Sequence, residues 1–364
     1  MALAPAVPPL FRRLLLVAGG LSLVAGVGAG LVRIGWALPP IQPSLVAAHG
    51  PLTASGFLGV VIGLERAVAL GRRAAFAAPA LAGLGGLTIV TTLPITLAAW
   101  LFAASGLVLV AVFARTYCVR PDRAGALPAL GAASWLAGNS LWLMGYPLPQ
   151  IVPWWAGFLV FTIAGERLEL AQLLLRPGAR RSLLLATSAV LAGLLTSVVS
   201  FEPGARLAGL GLVAIAGWGI CCDVARRGLR QPGLPRFIAS CVLGGYLWLG
   251  VAGLLWLLGA EMLGGRYDAT VHSVFLGFAF SMIFGHAPMI IPAVAGLAVP
   301  FQRGFYLHLG LLHGSLLLRI VSDLAAWPEG RRWGGLLNAA AILLFAVVTA
   351  RAARQASQRA SAGR

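Results

Sequence analysis

The chain has 364 residues, of which 59% are hydrophobic and 10% are charged, and its formal net charge is +17. Soluble domains carry about a quarter charged residues, so this composition excludes an ordinary soluble protein and indicates an integral membrane protein. The 27 basic residues occur mainly in short connections between apolar segments. Charges in such positions fix membrane orientation, so we predict a lipid bilayer as the chain's partner and no nucleic acid.

The apolar segments, taken in chain order, predict an all-α polytopic membrane protein, because a helix needs about 20 consecutive apolar residues to cross a bilayer. We predict about twelve transmembrane helices. They lie near residues 12–36, 45–70, 74–93, 95–118, 127–146, 153–175, 182–200, 205–226, 236–259, 268–292, 304–325 and 333–351. We expect a single transmembrane domain over residues 1–351 and a basic, disordered tail over residues 352–364.

Arginine clusters occupy alternate connections, for example at Arg72-Arg73 and over residues 176–181. Positive charge is retained on the cytoplasmic side of a membrane. The pattern therefore predicts a multi-pass protein of the bacterial inner membrane with both termini in the cytoplasm. Arg331-Arg332 is an exception, since the same assignment places this pair outside.

Three of the predicted helices share one pattern, in which a Gly-Phe pair is followed by an isoleucine and then by an ionisable residue at constant spacing. The copies begin at Gly56, Gly157 and Gly277 and end at Glu65, Glu166 and His286. A pattern that recurs in equivalent helices indicates internal repeats. We predict three pseudo-repeated units of four helices.

The placement of the histidines suggests a haem site. His49 and His272 both lie near the outer ends of their predicted helices, at similar depth. Two neutral imidazoles on separate helices, with an apolar slot between them, can ligate haem iron from both sides. We therefore predict haem b with His49 and His272 as its axial ligands.

A second metal site is predicted at the inner ends of the helices. His286 lies near the inner end of its helix, and His308 and His313 lie at the start of the next one. If the repeats are equivalent, Glu65 and Glu166 join His286 in a carboxylate–imidazole cluster, which suits copper, another transition metal or proton transfer. The alternative is that these side chains make structural hydrogen bonds within the bundle.

Three segments carry a resemblance to a known family: His49-Gly50 with Gly56-Phe57, the His272 segment that ends in Gly285-His286, and Leu316 to Arg319. Together they resemble the NnrS family of twelve-helix, haem- and copper-containing bacterial membrane proteins associated with nitric oxide metabolism. The helix plan and the two outer histidines are more distantly similar to the catalytic subunit of haem-copper oxidases. In that family a second histidine lies two residues from the position of His272, where this chain has Thr270 and Val274.

The resemblance implies electron transfer or diatomic-gas chemistry with nitric oxide or oxygen. It also implies haem-dependent oxidoreductase activity, a redox partner or quinol, and a gas ligand. The main alternative is a secondary transporter with internal repeats and no redox cofactor. A structural assembly factor without a site is a third hypothesis.

Overall fold

A computed structural model describes residues 7–39, 42–119, 123–171, 175 and 178–362. All regular secondary structure in these residues is helical. Among the described residues, 11 helices are long and apolar enough to cross a membrane. The protein is therefore an all-α, multi-pass membrane protein, as predicted.

Most helix ends fall within a few residues of their predicted positions. The long helices are α1 (Pro9–Arg33), α2 (His49–Leu70), α3 (Arg73–Val90), α4 (Ile95–Val119), α5 (Arg123–Leu143), α6 (Leu148–Ala171), α7 (Ala179–Val199), α8 (Phe201–Cys222), α9 (Leu234–Leu258), α10 (Gly264–Ala295), α11 (Phe305–Leu324) and α12 (Pro328–Ala362). Short helices at Pro43–Ala47 and Ala225–Gly228 lie in connections. Helix α5 is not among the 11 candidate spans, because Arg123, Asn139 and two serines reduce its apolar character.

Two of the long helices contain a π-helical segment. In α2 it covers Leu52–Leu58, and in α10 it covers Ser273–Phe280. A π-helix has a wider turn than an α-helix, is rare, and often lies at a functional site. Each segment follows closely after one of the two histidines that were predicted to bind haem.

The residues predicted as a basic, disordered tail lie at the end of helix α12. Helix α12 continues to Ala362, while residues 363 and 364 lie outside the described residues. Ala352 is fully buried, and Gln302 Nε2 donates to Gln355 Oε1 at 2.8 Å. These contacts connect the helical basic segment to the rest of unit 2.

Residue contacts divide the chain into two compact units, where the sequence predicted one domain over residues 1–351. Unit 1 comprises Met1–Thr162 with Ala293–Gly296, and unit 2 comprises Ile163–Pro292 with Leu297–Arg364. In unit 1, α1 packs on α2 and α3, and α4 packs between α3 and α5. In unit 2, α8 packs between α7 and α9, and α11 packs along α12.

A buried polar network joins four helices of unit 1. Ser55 Oγ donates to Asn139 Oδ1 at 2.8 Å, and Trp155 Nε1 donates to the same oxygen at 3.0 Å. Trp135 Nε1 donates to Ser55 Oγ at 3.1 Å, and Asn139 Nδ2 donates to the carbonyl oxygen of Phe102 at 3.3 Å. Asn139 thus links α5 to α2, α4 and α6 through hydrogen bonds that water does not reach.

Replacing Asn139 with leucine is expected to lower the free energy of unfolding by about 1–3 kcal/mol, because buried donors then lose their acceptor. Thermal unfolding in detergent measures the change. Ser134→Ala is the matched control on the same helix, since Ser134 Oγ is buried and has no hydrogen-bond partner among the described residues. Equal losses in the two variants would contradict a stabilising role for the Asn139 network.

Candidate functional site

His49 is held in unit 1 by the backbone of α1. Its Nδ1 atom lies 2.6 Å from the carbonyl oxygen of Gly26. A Cβ atom at Gly30 would lie 2.8 Å from His49 Cε1. The imidazole therefore packs directly against the backbone at this glycine, where a side chain would leave no room for it. Because a carbonyl oxygen only accepts hydrogen bonds, Nδ1 carries the proton, and the lone pair of the neutral ring is on Nε2.

His272 and His286 have the same arrangement within α10. The Nδ1 atom of His272 lies 2.8 Å from the carbonyl oxygen of Asp268, and that of His286 lies 2.8 Å from the carbonyl oxygen of Met282. Both rings are half-buried. In each, the bond to a carbonyl assigns the proton to Nδ1 and the lone pair to Nε2. Metal-binding histidines are commonly oriented in this way.

Asp268 is the centre of a charged cluster in unit 2. Its Oδ2 atom accepts hydrogen bonds from Arg319 Nε at 3.0 Å and Nη2 at 2.8 Å, and lies 3.4 Å from His272 Nδ1. Arg331 Nη2 is 3.1 Å from Asp268 Oδ1, and Arg331 Nε is 3.0 Å from Asp323 Oδ1. The cluster joins α10, α11 and α12. The sequence analysis did not find it.

The charge pattern has one exception, Arg331-Arg332, and Arg331 is a member of this cluster. Arg331 is paired with two carboxylates, and Arg332 Nη1 lies 2.7 Å from Glu329 Oε1. The positive-inside rule counts arginines and lysines and not net charge, so these ion pairs leave Arg331-Arg332 an exception to the predicted orientation. The sequence feature that could have revealed the cluster is the presence of aspartates within the neighbouring apolar helices.

His308 is fully buried and enclosed by aromatic rings. Both of its ring nitrogens lack a hydrogen-bond partner among the described residues. The ring is almost perpendicular to Phe284, with centroids 4.7 Å apart. Three more rings surround it, those of Phe237, Phe305 and Phe345. The described contacts of His308 are therefore with aromatic rings, and the metal role predicted for it stays a prediction.

His313 has the opposite tautomer from His49, His272 and His286. Trp248 Nε1 donates to His313 Nδ1 at 2.8 Å, and the two rings are stacked. Because indole N–H can only donate, Nδ1 is the acceptor, and a neutral His313 carries its proton on Nε2. Neither nitrogen of this ring is then available to a metal without breaking the bond to Trp248.

The two Glu-Arg pairs of the repeat behave differently. Glu65 forms a two-bond ion pair with the adjacent Arg66, at 2.6 and 2.7 Å. Arg167 instead binds a carboxylate elsewhere in its unit, while Glu166 is half-buried. Within the described residues, no group of three or more His, Cys, Asp or Glu side chains could hold a metal ion. The predicted metal cluster gains no support here, and copper stays a prediction.

The carboxylate that Arg167 binds is Asp223, just after the end of α8. Arg167 donates two hydrogen bonds to it, one of them from Nε to Oδ2 at 2.8 Å. Asp223 also accepts from Tyr246 Oη at 3.1 Å and from the backbone nitrogen of Ala225 at 2.8 Å. All of these side chains are buried. The arrangement is a buried ion pair in which the carboxylate accepts four hydrogen bonds.

No curated protein and no solved structure is significantly similar to this chain. The resemblance to NnrS proteins and to haem-copper oxidases therefore depends on the residues quoted for it. One family model does match, over residues 12–354, and its description is a domain of unknown function, DUF8744. Because this match covers nearly the whole chain, the protein belongs to the DUF8744 family.

Proposed function

We propose that the protein is a haem b-binding protein of the bacterial inner membrane, with His49 and His272 as axial ligands. It would serve electron transfer or diatomic-gas chemistry with nitric oxide or oxygen. The observation that carries the proposal is the tautomer of the two rings: a backbone carbonyl holds each Nδ1, at 2.6 Å for His49 and 2.8 Å for His272. Each ring therefore has its lone pair on Nε2, the atom that binds iron.

The chemistry of the two proposed ligands supports haem as the cofactor. Two neutral imidazoles are the axial ligands of many membrane cytochromes, and hydrogen bonds at the far nitrogen keep such rings oriented. When bound, haem supplies one-electron chemistry. The chain's own contribution is to hold the two rings in one tautomer. Each ring lies just before a π-helical segment, Leu52–Leu58 or Ser273–Phe280. A redox partner or quinol would supply electrons.

We also propose about twelve spans in three repeated units, with both termini in the cytoplasm. The π-helical segments support the repeats, because each begins four residues before the glycine of its copy, Gly56 or Gly277. The arginine clusters in alternate connections support the orientation, and Arg331-Arg332 is an exception to them. A second metal at His286 is supported only by the bond of its Nδ1 to Met282.

The test is the optical spectrum of protein purified from haem-supplied cells. We expect a sharp b-type Soret band with stoichiometric haem, and its loss in His49→Ala and in His272→Ala, because a single imidazole cannot maintain the bis-histidine complex. His313→Ala is the matched control and should keep the band, since its Nδ1 is occupied by Trp248. A colourless wild-type protein, or an unchanged band in both ligand variants, would overturn the proposal.

The second candidate is a secondary transporter with internal repeats and no redox cofactor. Interrupted helices and buried charges are typical of transporter sites. The π-helical segments of α2 and α10 and the cluster around Asp268 are features of this kind. Haem-free protein that accumulates a solute in proteoliposomes would favour this candidate over haem binding.

A further inference from the structure

Asp268 touches His272 in two ways. Its backbone carbonyl oxygen lies 2.8 Å from His272 Nδ1, and its carboxylate Oδ2 lies 3.4 Å from the same nitrogen. Both side chains are largely buried, with exposed fractions of 15% for Asp268 and 13% for His272. The single N–H of this ring edge therefore points toward one residue that offers both a carbonyl and a negative charge.

From this geometry we infer that Asp268 is a positioning residue, which orients the His272 imidazole and makes it a stronger electron donor to the metal it binds. The inference rests on the proposed haem ligation. A carboxylate beside the N–H of a ligating histidine raises the basicity of the ring. A more basic ligand, together with a nearby negative charge, stabilises ferric over ferrous iron.

The carboxylate is itself fixed in place. Arg319 contacts Oδ2 through two nitrogens, at 3.0 and 2.8 Å, and Arg331 contacts Oδ1 at 3.1 Å. These contacts come from two other helices, α11 and α12. They hold the carboxylate beside His272, and together with the neighbouring carboxylate of Asp323 they set the net charge that the imidazole experiences. The two arginines therefore also help to position the His272 imidazole, by fixing the carboxylate beside it.

The other two buried aspartates of unit 2 differ from Asp268 in their contacts, because Asp268 lies beside a histidine. Asp223 is bound by Arg167 and Tyr246, and Asp323 lies 3.0 Å from Arg331; within the described part of the chain the ion pairs and hydrogen bonds of these two carboxylates involve no histidine. If ion pairing alone explained Asp268, its position beside His272 would have no consequence for a bound metal. The two explanations therefore predict different results for the midpoint potential.

The experiment measures the midpoint potential and the ferric electron paramagnetic resonance spectrum of the purified haem protein. In Asp268→Asn we expect the potential to rise, by about 59 mV for a tenfold loss of preference for ferric iron. In Arg331→Gln we expect it to fall, because one positive charge beside the carboxylate is removed. A purely structural role for the cluster would not produce shifts of opposite sign.

Two exposed charges of unit 2 provide matched controls. Glu202 and Arg206 form a surface pair at 2.6 Å, with side chains 60% and 49% exposed. Glu202→Gln and Arg206→Gln make the same charge changes and should leave the potential unchanged. If Asp268→Asn does not fold, the midpoint potential of Arg331→Gln tests the inference by itself. Unchanged potentials in haem-loaded Asp268 and Arg331 variants would refute the inference, whereas a wild-type protein without haem would refute the proposed function.

Discussion

Replacing Asp223 with alanine is expected to destabilise unit 2 by about 3–5 kcal/mol, because Arg167 then becomes a buried, unpaired charge. Asp223 accepts hydrogen bonds from Arg167, Tyr246 and the backbone of Ala225. The side chain of Arg167 is only 6% exposed, so water cannot replace the lost partner. Denaturant titration or thermal unfolding in detergent measures the loss.

Two further variants separate the effect of the unpaired charge from the loss of the contact. The double variant Arg167→Met, Asp223→Leu removes both charges and should recover most of the stability, since apolar replacement of a whole buried pair is often neutral or stabilising. Glu202→Ala, in the exposed pair with Arg206, should cost less than about 1 kcal/mol. A double variant as unstable as Asp223→Ala would show that the ion pair itself, and not the unpaired charge, dominates.

Gly204→Ala is expected to prevent the close packing of α7 and α8 and to destabilise unit 2 by about 3 kcal/mol or more. An added Cβ atom would meet the backbone nitrogen of Ser197 and lie 2.6 Å from the carbonyl oxygen of Gly193. Both obstacles are backbone atoms, which cannot move without shifting a whole helix. Small residues are the usual means by which membrane helices approach so closely.

Gly217→Ala is the matched control for Gly204→Ala, because it makes the same change on the same helix. A Cβ atom at Gly217 would have no neighbour within 4 Å. We expect unchanged stability or a gain of up to about 1 kcal/mol, since alanine favours the helix over glycine. Unfolding of both variants in the same detergent provides the comparison. Equal stabilities would mean that α7 and α8 can separate at little cost.

The helices themselves were predictable from the sequence. The predicted segment 182–200 became Ala179–Val199, and 304–325 became Phe305–Leu324. This agreement has a physical reason: in a bilayer, every spanning segment must be apolar and must satisfy its own backbone hydrogen bonds. Both requirements are local, so a single segment reveals them. The end of α12 was less predictable, because the burial of Ala352 and the hydrogen bond of Gln355 are tertiary contacts that composition does not reveal.

The candidate site was predictable only in part. Histidines in apolar helices are rare enough to be recognised as candidates from the sequence, and His49 and His272 were found in this way. The partner of each ring was not predictable. For His49 it is Gly26, 23 residues away on another helix. His313 is paired with Trp248 across 65 residues, and that contact changes its tautomer and its suitability as a ligand.

The sequence by itself determined that the chain is an all-α membrane protein, where its helices lie and which ionisable residues they contain. The tertiary structure decided which charges meet, such as Asp268 with Arg319 across 51 residues and Arg167 with Asp223 across 56. It also decided where α2 and α10 widen into π-helical turns. The physical reason is that hydropathy is a property of one segment, whereas ion pairs and ring tautomers depend on which helices become neighbours.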